Sequence, residues 1–248
     1  MVKSAAMPTF TDRYGRPFTI FPRPAEALGA LSPLFLGVLL LPAAITGAVA
    51  WRIDPSLGGS VEALRVTWLV NAAANWFVIA GLYAYLDRRG LTRDVFRFTL
   101  PRPRVLALAF TAFAVGLFIV NPIAAGIGHL IGAPMVPPPF KVEDAVSILV
   151  LAFVTVVMAP VAEEVLFRGL GVGYLLARGL SYWMAGLLPL AVFAALHLPY
   201  FGWGGGIFIL LWGTLPTFLR LLTGSLTPGW VLHVLNNAFA YVSAKFLI

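Results

Sequence analysis

Three short polar stripes interrupt an otherwise apolar carboxy-terminal half: Glu163-Glu164 with Arg168, Phe193 with His197, and His233 with Asn237, the last beside Asn236. Within each stripe the partners stand four residues apart, so on a helix they share a face. Ionisable groups at bilayer depth cost about 2.5 to 3.5 kcal/mol each on insertion scales, which makes such residues functional candidates by default. Glu164 and Arg168 read as an ion pair along one helix. Glu163 is then the carboxylate without a cation, and a carboxylate in an apolar setting is a candidate general base.

The elements that must carry these stripes are membrane spans. Of 248 residues, 60% are hydrophobic and 11% charged, whereas a soluble domain carries about a quarter charged residues. The mean hydropathy of +0.92 agrees. Hydrophobic stretches near residues 31–50, 66–86, 105–131, 145–177, 182–199, 207–222 and 229–247 predict an all-α, polytopic transmembrane bundle of seven or eight helices. The uncertainty of one lies at Pro160, where the long fourth stretch could break. The glycine-rich run from Phe201 to Gly206 marks a turn between the fifth and sixth. The chain reads as one membrane domain: an interfacial segment over residues 1–30, three helices over 31–131, and a four-helix core over 145–248. The first hydrophobic run starts too far in for an ordinary cleaved signal peptide.

The net charge of +7 is placed rather than spread, because Arg88, Arg89, Arg93, Arg97, Arg102 and Arg104 fall in one loop. That is the positive-inside signature, with lipid-headgroup contact, and not a nucleic-acid surface. It puts the amino terminus and the turns at Arg178 and Arg220 in the cytoplasm. Counting 1.5 Å per residue from those turns, Glu163 and His197 on antiparallel neighbours are compatible with one level. His233 joins them only if Thr223 to Gly229 dips into the membrane. His129, near the end of the third stretch and outside any motif, reads as interfacial or structural. There is no cysteine, which excludes disulfides, thiolate metal sites and cysteine nucleophiles.

The ordered triple Glu163-Glu164-x-x-x-Arg168, Phe193-x-x-x-His197 and His233-x-x-x-Asn237 resembles the three motifs of the CAAX protease and bacteriocin-processing (Abi) family of intramembrane proteases. The run Leu222-Thr223-Gly224-Ser225-Leu226 also looks like that family. The resemblance implies that Glu163 activates a water with help from His197. It further implies that His233 and Asn237 hold the oxyanion, and that Glu164 with Arg168 organises the helix while Phe193 shapes the site. Glu163, His197 and His233 equally offer three ligands and an open position to a divalent metal such as Zn2+, so metal-bound and metal-free water remain alternatives. The implied partner is a peptide or protein substrate, prenylated or not, met in the bilayer, and the implied setting is the inner membrane of a prokaryote. His-Glu-x-x-His, Gly-x-Ser-Gly and Gly-x-Gly-Asp signatures are all missing. Two rival readings use the same residues: a proton-coupled transporter relaying through Glu163, His197 and His233, and a non-catalytic immunity or scaffold protein.

Overall fold

A computed structural model describes residues 26–53, 61–100, 102–135 and 144–246, and the architecture is helical throughout them. The interfacial reading of the amino-terminal segment, apart from its last few residues, lies outside the described residues. The helices are α1 (Leu41–Ile53), α2 (Val61–Asp87), α3 (Pro103–Leu130), α4 (Ala145–Ala177), α5 (Tyr182–Trp212), α6 (Thr214–Thr223) and α7 (Thr227–Phe246). A 3-10 stretch, Pro33–Leu39, leads into α1 at a bend of 50°. Four helical stretches are long and apolar enough to cross a membrane: Arg65–Asp87, Pro103–Leu130, Ala145–Ala177 and Tyr182–Thr223. The bent pair at α1 makes up to five.

The last of these four stretches is a hairpin. Gly202 has φ 64° and ψ −172°, a backbone region that is essentially glycine-only, and there the chain reverses. The partners across the turn prove it. A methyl group on Gly186 would stand 3.0 Å from Thr217 Cγ2, and one on Gly213 would strike Leu190 Cδ1. In a straight helix those pairs would lie roughly 45 and 35 Å apart. The turn expected between the fifth and sixth hydrophobic stretches is therefore present, with Gly202 at its corner. α7 is not among the four apolar stretches, because His233, Asn236 and Asn237 make it too polar.

Pro160 does not break α4. Residues Phe153–Met158 are wound as a π-helix, and Pro160 stands near the start of the short α-helical segment that comes next, Ala159–Glu163. A wider turn accommodates the missing proline N–H and the ring, and the helix runs on through it. A second π-helical run, Glu164–Gly171, comes immediately after it and is buried along its whole length. Asp144 caps α4 by accepting from Ser147 N at 2.9 Å, and it lies 3.5 Å from Arg65 of α2. The bonds to Ser147 and the nearby guanidinium hold its carboxyl below the usual range.

Candidate active site

The antiparallel packing of α4 on α5 fixes the register. Phe167 and Phe193 meet edge to face with centroids 4.9 Å apart, and a methyl on Gly171 would stand 2.9 Å from Pro189. The Phe193 ring is the floor between the helices. It lies 4.5 Å from the His197 ring, 6.3 Å from that of His233 and 4.7 Å from the Arg168 guanidinium.

Glu164 and Arg168 are paired as expected, with Arg168 Nη1 3.3 Å from Oε1, and both side chains are buried. Arg168 also donates to Gly213 O at 3.3 Å and to Thr217 Oγ1 at 3.4 Å, which ties α4 to the α5–α6 junction. Glu163, however, is not alone. His233 reaches both glutamates, with Nε2 3.4 Å from Glu163 Oε2 and Nδ1 3.1 Å from Glu164 Oε1. The expectation of an unpartnered Glu163 is thus corrected, because α7 starts deep enough to bring His233 level with α4. What separates the two glutamates is access: the Glu163 side chain is 20% exposed and that of Glu164 fully buried.

His197 is half-buried, with Nδ1 2.7 Å from the Phe193 carbonyl. A carbonyl only accepts, so Nδ1 carries the proton and Nε2 is left as an acceptor. Asn237 lies one turn beyond His233, where its Nδ2 donates to Thr155 O at 2.9 Å and its Oδ1 accepts from Asn236 at 3.3 Å. The first bond ties α7 to the π-helical stretch of α4. One hydrogen of the Asn237 amide is thereby used and the other is not. His129 stands exposed near the end of α3.

The sequence pattern did not single out Trp212. Its ring meets that of His233 edge to face at 5.0 Å, and its buried Nε1 has no hydrogen-bond partner. An indole closing a long apolar helix carries no motif, so only the hairpin's register reveals it.

The three metal ligands suggested by the sequence are not gathered. Among the described residues no group of three or more acidic or histidine side chains is disposed to hold an ion. His233 in particular has both ring nitrogens facing carboxylates, while His197 keeps Nε2 open. As placed, these side chains do not fit a divalent ion.

Residues 145–239 match the family model described as Type II CAAX prenyl endopeptidase Rce1-like. This stretch of the chain is Rce1-like. It spans α4 to most of α7 and holds Glu163, Glu164, Arg168, Phe193, His197, His233 and Asn237. The resemblance carried by the three motifs is borne out by that match. No curated protein and no solved structure matches the chain. The match covers that stretch alone and is to a family of proteases, and the described residues include four helical stretches long and apolar enough to cross a membrane.

Proposed function

We propose that this chain is an intramembrane endopeptidase of the CAAX type that hydrolyses a peptide bond with water activated by Glu163. The observation that carries this reading is the contact of Glu163 with His233, together with the packing of both the His233 and the His197 rings against Phe193, which brings side chains of three helices to one place. The difference in exposure supports different roles for the two glutamates. Glu163 is partly exposed and leaves room for a water, while Glu164 is sealed against Arg168 and His233.

In the proposed reaction, Glu163 takes a proton from water as the oxygen attacks the carbonyl carbon. His197 Nε2 accepts the water's other hydrogen and orients it. His233, held between two carboxylates, donates through both nitrogens when protonated, and its Nε2–H stabilises the oxyanion as Glu163 loses charge. The free N–H of Asn237 is the second donor. The C–N bond then breaks, and Glu163 returns its proton to the leaving amine. Glu164, Arg168 and Phe193 hold these groups in place.

The family resemblance supports a prenylated substrate. An apolar groove of about 290 Å³, lined by residues such as Phe35, Ile45, Phe77 and Tyr85, opens between the Pro33–Leu39 stretch, α1 and α2. It offers an isoprenoid a complementary surface. The setting is the inner membrane of a prokaryote, with the arginine loop and amino terminus cytoplasmic.

The test is cleavage of quenched peptides, with and without a carboxy-terminal prenylcysteine, by the detergent-purified protein before and after chelation. Cleavage that prefers the prenylated peptide and survives chelation is the expected result. Cleavage abolished by chelation and restored by Zn2+ overturns the metal-free mechanism. No cleavage of any peptide by the folded protein overturns the endopeptidase reading.

A further inference from the structure

The loop that carries the cluster of arginines does more than mark topology, because part of it is driven up into the bundle. Val95 O fills the space beside Gly169, which lies eight residues, or about 12 Å of helix, before the end of α4. Beyond it the chain is laced to the turn that starts α7. Leu226 N donates to Arg97 O at 2.8 Å, Thr99 N donates to Thr227 Oγ1 at 2.9 Å, and the same hydroxyl donates to Thr99 O at 2.7 Å. Thr227 thus pairs with Thr99 as a strand neighbour would, through its side chain. The Thr99 and Ser225 hydroxyls lie 2.8 Å apart. Arg220, itself buried, spans the junction by donating to Gly224 O at 2.6 Å and to Asp94 O at 3.0 Å.

This clasp sits close below the site. Thr227 is the first residue of α7, and His233 stands six residues later, about 9 Å along a continuous helix. Fewer than two turns of helix transmit a shift of their start with little loss. The turn itself leaves no slack, because Gly224 is left-handed at φ 65° and residues 224–229 are all buried. The start of α7 is therefore held by a segment more than a hundred residues earlier in the chain.

We propose that the segment Asp94–Thr99, clasped to Arg220 and to Ser225–Thr227, sets the depth and rotation of α7 and so places His233 between Glu163 and Glu164. Thr227 and Thr99 are positioning residues, which touch no reacting atom. The inference rests on the peptidase reading for its kinetic consequence, and on the geometry alone for its structural one.

The chain has three histidines, His129, His197 and His233, so a protein labelled with 15N-histidine gives three imidazole environments. They can be assigned with His129→Gln and His197→Gln. Thr227→Val, which removes both bonds to Thr99, is expected to move the His233 signals while leaving the other two in place. It lowers kcat roughly ten- to a hundredfold at unchanged KM. Thr227→Ser restores both. Thr99→Val, at an exposed position, loses only the hydroxyl pair with Ser225 and moves the same signals by less. It decides the matter should Thr227→Val fail to fold. Folded variants with wild-type His233 signals, or with lowered thermal stability alone, overturn the proposal. If the wild type cleaves nothing, the peptidase reading falls while the histidine signals still decide the clasp.

Discussion

Between α1 and α2, Asn71 donates to Thr46 Oγ1 at 3.3 Å, Asn75 donates back to Asn71, and Thr46 donates to Pro42 O. Three neutral side chains satisfy one another across a single helix pair. At the other polar centre, Glu163, Glu164, Arg168 and His233 join α4 to α7, with Arg168 extending to the α5–α6 junction. That centre leaves valences open: Glu163 is partly exposed, His197 Nε2 awaits a donor, and buried Glu164 Oε2 and Trp212 Nε1 have no hydrogen-bond partner. A closed neutral network holds helices together, whereas an open charged one has capacity left for a reaction. The contrast also bears on a proton relay, which needs polar residues linking both faces. The asparagines of α2 are committed to their neighbours instead.

The first way to break this comparison is His197→Ala against Asn75→Ala. Loss of His197 lowers kcat about a hundred- to a thousandfold, while Asn75→Ala leaves it within twofold, as read from peptide cleavage by equal amounts of folded protein. Next in size is Arg168→Met. It leaves Glu164 a buried charge with only His233 beside it, and a loss of about 3 to 5 kcal/mol results, measured by chemical unfolding in detergent. Gly202→Ala comes third: a methyl in that backbone region costs about 1 to 3 kcal/mol, seen as a lowered Tm with the hairpin weakened. The smallest effect belongs to Asn71→Val, about 0.6 kcal/mol as is usual for polar pairs between membrane helices. An Asn71→Val loss as large as that of Arg168→Met would erase the distinction between the two centres.

Local spacing made part of this site legible. The Glu164–Arg168 pair and the contact of Phe193 with His197 are i,i+4 relations, and they stand as read. The hairpin corner was readable from the glycine run. What could not be read depends on distant segments. The depth of His233, and with it the partner of Glu163, is fixed where Thr227 meets Thr99, and no local pattern in α7 encodes that meeting. Likewise, the arginines of residues 88–104 announced an inside loop, but the backbone between them does the clasping. Pro160 pointed to a break because proline usually ends an α-helix. The adjoining π-helical turns of α4 removed the conflict, and π-helix leaves no propensity signal in the sequence.

The most direct test of the account is the rate of peptide cleavage by Glu163→Gln beside the wild type, with folding verified by thermal unfolding. Glutamine keeps the shape and the contact with His233 but cannot accept the water's proton. The account predicts a folded protein whose cleavage falls at least about a thousandfold. A folded Glu163→Gln protein that cleaves at the wild-type rate would contradict it.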